Sequence, residues 1–147
     1  MNGDLIGAAD IARGTLRLLS EHGYAAITEF TLGSGRRADV AAIDPSGRLL
    51  IIEIKSCRAD FLTDEKWRSY LEYCDAFSFA VGMNFPRELL PPETGLIVAD
   101  RYGGHFLRPP YEQSLNAGRR KAEILRFARV AAQRLSALDR PHALDDH

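Results

Sequence analysis

Hydrophobic positions along the chain change period several times, and each change predicts an element. Over residues 8–22, Ile11, Leu16, Leu18 and Leu19 recur at helical spacing and stop at Gly23, which suits the left-handed position past a helix end. Residues 24–32 read as a strand. Two further apolar runs flank Asp44-Pro45-Ser46-Gly47, whose order fits a type I turn followed by a glycine bulge. That three-residue loop pairs Asp44 with Arg48, so Ala42 faces Leu50, Val40 faces Ile52, and Asp39 falls opposite Glu53. Gly33-Ser34-Gly35 fits the same loop type, pairs Leu32 with Arg36 and brings Glu29 opposite Asp39. A helix is predicted from about Thr63, with Thr63 as N-cap, Asp64 and Glu65 in its first turn, and Trp67, Tyr70, Leu71 and Cys74 as its core stripe. Residues 76–81 form a buried strand, which the intervening helix allows to run parallel to the strand before it. Residues 95–100 and 105–108 read as short strands. A final helix over 116–138 carries Ile124, Phe127, Ala128, Ala131, Leu135 and Leu138 on one face, with Arg119, Arg126, Arg129, Gln133 and Arg134 on the other.

This order predicts an α/β fold: a mixed β-sheet, with an antiparallel three-strand meander plus a parallel crossover strand, flanked by helices. At 147 residues the length suits one domain, taken as residues 1–140, with residues 141–147 expected to be a disordered tail. Hydrophobic content of 46% and charged content of 27% are ordinary for a globular protein. No apolar run approaches a membrane span and no signal peptide is indicated. Two cysteines without metal spacing make a reduced cytoplasmic setting the expectation.

The hairpin register carries the candidate chemistry. Two carboxylates across a ladder have Cβ atoms about 5 Å apart, which is destabilising if both stay ionised and unpaired. A divalent cation between Asp39 and Glu53 would resolve that, and Mg²⁺ suits a site of one or two carboxylates with retained waters. Lys55, two residues beyond Glu53, shares its face and could orient water or neutralise a phosphate. The competing account is a half-exposed strand whose Glu53 and Lys55 face solvent. Glu29 is an auxiliary metal-site candidate, or else a solvent-facing strand residue. Trp67 reads as packing rather than a base-stacking platform.

The order Asp39…Glu53-x-Lys55 on a hairpin, followed by a helix and a strand, resembles the PD-(D/E)XK nuclease superfamily. Further motifs are similar to the MmcB family of bacterial DNA-repair proteins: Gly35-Arg36-Arg37-Ala38-Asp39-Val40, Glu53-Ile54-Lys55-Ser56, Asp60-Phe61, Lys66-Trp67, Tyr70, Phe79-Ala80-Val81, Gly95 through Asp100, and Arg119-Arg120-Lys121-Ala122. The resemblance runs from about Ala8 to Leu138. One departure is Ala38, where the wider superfamily often has proline. The resemblance implies a restriction-endonuclease-like fold, a role in DNA repair, and Mg²⁺- or Mn²⁺-dependent phosphodiester hydrolysis. Asp39, Glu53 and the backbone carbonyl of Ile54 would be the metal ligands, with Lys55 catalytic. The alternative is a non-cleaving accessory that binds DNA or repair proteins on the same fold.

Charge refines this picture. The chain is nearly neutral at −1, yet residues 108–140 hold eight Lys/Arg against three Asp/Glu, a balance of +5 that leaves −6 elsewhere. A basic element beside an acidic pocket suits a phosphodiester enzyme. Arg36, Arg37, Lys66, Arg119, Arg126 and Arg129 are therefore the candidate DNA contacts, against the plainer reading of ordinary surface cations. The expected partner is structured or damaged DNA, since no separate module for reading sequence is evident. Zinc hydrolase, phosphate-loop and cysteine-nucleophile chemistries find no matching spacing.

Overall fold

A computed structural model of the chain describes residues 6–57 and 66–140. The helix expected to start near Thr63, and the tail 141–147, begin or lie outside the described residues. Helix α1 (Ala8–Glu21) ends as its sequence suggests, with Tyr24 N–H on the Leu19 carbonyl (2.9 Å) and Gly23 N–H on that of Ser20 (3.1 Å). It buries Ile11, Thr15, Leu18 and Leu19 against the sheet. Gly14 lets the helix lie directly on the turn after Asp100: a Cβ there would sit 1.8 Å from the Asp100 carbonyl oxygen.

Strands β1 (Ala25–Thr31), β2 (Arg37–Ile43) and β3 (Leu49–Lys55) form the expected antiparallel meander. Both loops are of the anticipated kind. Leu32 pairs with Arg36 (2.8 Å) and Asp44 with Arg48 (3.0 Å), with Gly35 and Gly47 at φ +91° and +90°, where a side chain would be strained. β4 (Ala76–Val81) runs parallel to β3, and β5 (Gly95–Asp100) parallel to β4. β6 (Gly103–Arg108) returns antiparallel, and the short β7 (Tyr111–Glu112) pairs with the start of β4. The sheet order β1-β2-β3-β4-β5-β6 is mixed and open.

α1 covers one face, packing on Val40, Leu50, Ile52, Ala80 and Ile97. The other face, with Ala41, Ile51, Phe77, Phe79 and Leu96, is covered by Trp67, Tyr70 and Phe127. Central strands buried on both sides explain the nearly unbroken apolar runs of β3 and β4.

Two expectations change. Residues Trp67–Tyr73 form a 3-10 helix, and Cys74 lies just past it in extended backbone. A three-residue repeat puts Trp67 and Tyr70 in one row against Phe77. The Gln113 side chain caps the Leu71 and Cys74 carbonyls, which ends the element there. Trp67 is packing, as read. The final helix, α2 (Ala117–Asp139), is capped by Asn116, which accepts the Arg119 N–H (3.0 Å). Its buried residues are Glu123 and Phe127, with Val130 and Ala131 packed beside them, whereas Ala128, Leu135 and Leu138 are exposed. The apolar stripe is wider than the sheet beneath it. β1 is an edge strand, and Arg134 makes the last contact with it through the Thr28 and Glu29 carbonyls (2.6 and 2.9 Å).

Asp75 joins these parts. It is fully buried at the start of β4 and accepts the Leu49 N–H (2.9 Å), the Leu115 N–H (3.1 Å) and both Arg120 Nε (3.0 Å) and Nη2. Its own backbone bonds the Leu49 carbonyl and the Gln113 N–H, each at 2.8 Å. Burial alone would raise its pKa, but the Arg120 bridge and the two backbone donors outweigh burial and hold it at about 2, against an ordinary 3.8. Burial and the neighbouring Asp75 charge push the Cys74 thiol up to about 12, so it is an inert core group.

A carboxylate with a lowered folded-state pKa stabilises above its unfolded value and loses that contribution as pH falls through about 2. Urea unfolding followed from pH 6 to pH 2 should show a loss of roughly 2 kcal/mol attributable to Asp75. Asp75→Asn should start less stable and show a flatter profile in that window. An identical acid profile in the variant would remove Asp75 from this role.

Candidate active site

The ladder between β2 and β3 runs from Ile43 opposite Leu49 to Val40 opposite Ile52 and stops there. Beyond it, side chains replace strand partners. Glu53 Oε2 accepts the Asp39 N–H (2.9 Å), and Asp39 Oδ2 accepts the Ile54 N–H (2.8 Å). The two carboxylates are thereby turned into the fork where the strands part, each oriented by a backbone donor of the opposite strand.

Alternation along β3 sends Leu50, Ile52 and Ile54 toward α1, and Ile51, Glu53 and Lys55 to the other face. Glu53 and Lys55 lie beside Phe79 and Val81 of the parallel strand β4 and are only 5% and 6% exposed. They are not the solvent-facing residues of a half-exposed strand. Ionisable groups are this buried only where partners or function hold them.

Glu29 falls opposite Asp39 in register, between the pairs Thr28–Val40 and Phe30–Ala38, but it does not pair. Its φ is +51°, a left-handed conformation that costs a non-glycine residue about 1–2 kcal/mol. The pleat changes phase here on both strands. Ile27 and Phe30 point to the same face although three residues apart, and so do Ala38 and Ala41. The Glu29 carboxylate is exposed and lies 3.7 Å from Arg37 Nη1.

A cleft of about 660 Å³ opens at this irregularity. Glu29, Asp39 and Ile54 form one wall, and Ala8, Ala12 and Arg13 of α1 form the other. The alanines leave room, and Arg13 brings a cation opposite two acids. Arg13 was missed because the helix was read only for its apolar stripe. Its signal is an arginine on the small-residue side of the helix.

The candidate DNA contacts separate into two groups. Arg36 and Arg37 are exposed at the β1–β2 loop, and Lys66 is exposed at the start of the 3-10 helix. Arg119 instead stacks over Tyr73 (4.5 Å) and bonds the Glu72 carbonyl (3.1 Å), so it clamps α2 to the 3-10 helix. Arg126 lies 3.6 Å from Glu123, and Arg129 is exposed on the outer side of α2. Glu123 was also missed. It is 2% exposed and accepts the Gly33 N–H with both oxygens (3.2 and 3.3 Å), pinning the β1–β2 loop. Its spacing of four from Phe127 was the available sign.

With this geometry in view, comparison with known proteins places the chain in a class. It belongs to the MmcB-like family of DNA repair proteins, which matches residues 6–142. A solved structure of a protein of unknown function from Silicibacter pomeroyi is similar to it, at 46% identity over 95% of this chain and 96% of that one, with a TM-score of 0.89. No curated protein matches. No helix among the described residues is long and apolar enough to cross a membrane.

The fork offers hard oxygen donors to a cation. Among the described residues no three His, Cys, Asp or Glu side chains gather into a metal cluster, so Glu29 does not pool with Asp39 and Glu53. A cation here would take two carboxylates and complete its shell with the Ile54 carbonyl and water, which is the habit of Mg²⁺. The backbone bonds on Asp39 and Glu53 would orient those ligands.

Relief of the left-handed strain gives a test of Glu29. Glu29→Gly should be at least as stable as the parent, by up to about 1 kcal/mol, whereas Glu29→Val should be destabilised by more than that. Equal melting temperatures for both variants would show that position 29 carries no backbone strain.

Proposed function

We propose that this chain is a Mg²⁺-dependent deoxyribonuclease of the PD-(D/E)XK superfamily, with a restriction-endonuclease-like core, that hydrolyses phosphodiester bonds in structured or damaged DNA. One observation carries the reading: Asp39 and Glu53 are locked into the fork by crossed bonds to the opposite backbone, with the buried Lys55 two residues on. A domain that only packed at this point could fill it with apolar side chains at lower cost. Membership of a DNA repair family supports DNA as the substrate class.

In this reading Asp39, Glu53 and the Ile54 carbonyl would hold Mg²⁺ or Mn²⁺, which would supply Lewis acidity toward the scissile phosphate. Lys55 orients the attacking water or neutralises charge developing on the phosphate. Arg13, Arg36, Arg37 and Lys66 take flanking phosphates, which offsets the repulsion between DNA and the acids of the cleft. The setting is the reducing cytoplasm, where Cys57 and Cys74 remain thiols.

A second reading has its own observation. The Glu29 carboxylate turns toward Arg37 instead of joining the other two acids, as suits a fold kept for binding DNA or repair proteins without cutting.

Cleavage assays with Mg²⁺ or Mn²⁺ on nicked, flapped, branched and single-stranded DNA separate the two. The parent should cut at least one substrate, and Lys55→Met should cut it about a hundredfold more slowly at similar affinity. Mg²⁺ should raise the melting temperature of the parent and not of Glu53→Gln. Replacing Arg36 and Arg37 by Ala should flatten the salt dependence of binding by about one unit for each lost contact. Equal binding with no cleavage by either protein establishes the accessory reading, and no binding at all sinks both.

A further inference from the structure

The outer face of α2 is an unpartnered apolar stripe. From Ala132 onward every described residue is exposed, and Leu125, Leu135 and Leu138 stand 61%, 63% and 82% exposed. Leu125, Ala128, Ala132 and Leu135 follow one another at spacings of three and four and therefore line up. The alanines leave the backbone approachable between the leucines. Shallow depressions of about 330 and 520 Å³ flank Leu125. Single exposed leucines are ordinary, but an aligned series along one helix is the mark of a contact surface.

Charge decides what covers it. Exposed Lys121, Arg126 and Arg129 border the stripe. The acids of this helix are Glu123, buried on the inner face against Gly33, and Asp139 at its last position. A second copy of the same helix would set cations against cations. A DNA backbone would satisfy the cations but leave the leucines in water. An acidic segment with apolar anchors satisfies both, as amphipathic helices do in complementary grooves.

We propose that the outer face of α2, from Lys121 to Leu138, docks an acidic, leucine-bearing segment of a partner protein. The stripe lies on the exposed outer side of α2, whereas the Asp39 cleft opens between α1 and the strands, so partner and DNA can be held together. A partner held here would deliver the chain to its substrate. The docking surface stands whether or not the fork cleaves DNA.

The test uses the full chain, isotopically labelled for NMR, with three probes. These are a synthetic helical peptide with leucines at heptad spacing and glutamates beside them, the same peptide with lysines for the glutamates, and a short DNA duplex. The acidic peptide should shift the amide resonances of Leu125, Ala128, Ala132 and Leu135 while leaving Asp39 and Glu53 unmoved, and the basic peptide should shift none. Leu125→Glu and Arg129→Glu should each weaken the acidic peptide about tenfold with melting temperature unchanged, since both side chains are exposed. Absence of shifts with the acidic peptide up to about 1 mM, a range that reaches affinities near −4 kcal/mol, overturns the proposal. So does a concentration-dependent dimer abolished by Leu125→Glu, which gives the face to a second copy. Shifts of the same residues by duplex, lost in Arg129→Glu and kept in Leu125→Glu, give it to DNA.

Discussion

The bridge between Asp75 and Arg120 ties β3, the start of β4 and α2 together at one buried point. Asp75 is fully buried, and its carboxylate is divided among the first residue of β3, the segment before α2, and a guanidinium of α2 itself. An aspartate in that position without partners would be strongly destabilising; with them it is a junction. Its backbone bond to Leu49 starts the parallel register of Leu50 with Ala76, which continues residue by residue to Lys55 with Val81. The burial of Glu53 and Lys55, six or so residues away, is thus set at the other end of the two strands.

From that junction the sheet divides the molecule's work. On one face α1 lies close because Gly14 allows it, and between its first turns and the β1–β2–β3 strands it leaves the cleft that holds Arg13, Glu29 and Asp39. On the other face α2 is fastened along its length: Arg119 to the Glu72 carbonyl, Arg120 to Asp75, Glu123 to Gly33, and Arg134 to the carbonyls of Thr28 and Glu29. The last of these grips the place where the pleat changes phase, so the backbone irregularity beside the fork is held from behind by the helix. A left-handed Glu29 persists because both sides of it are over-determined.

The meander shows what local chemistry alone determines. Asp44-Pro45-Ser46-Gly47 and Gly33-Ser34-Gly35 are turns whose residue types allow one geometry, and a hairpin loop sets the register of its strands. Asp39 opposite Glu53, and Glu29 opposite Asp39, were legible for that reason, as was the helix stop at Gly23. The parallel β4 followed from the length of the crossover, and the MmcB-like relationship from motifs spread along the chain.

Tertiary structure decided what depended on distant neighbours. Glu53 and Lys55 look like one side of an exposed strand until β4 lies beside them. Asp75 carries no local sign of its role, because its partners stand 26, 40 and 45 residues away. The face of α2 could not be read from its apolar stripe, since the stripe shows where leucines point and not how far the sheet extends beneath them. Register is a short-range property of turns, whereas burial is a property of whatever the rest of the chain brings alongside.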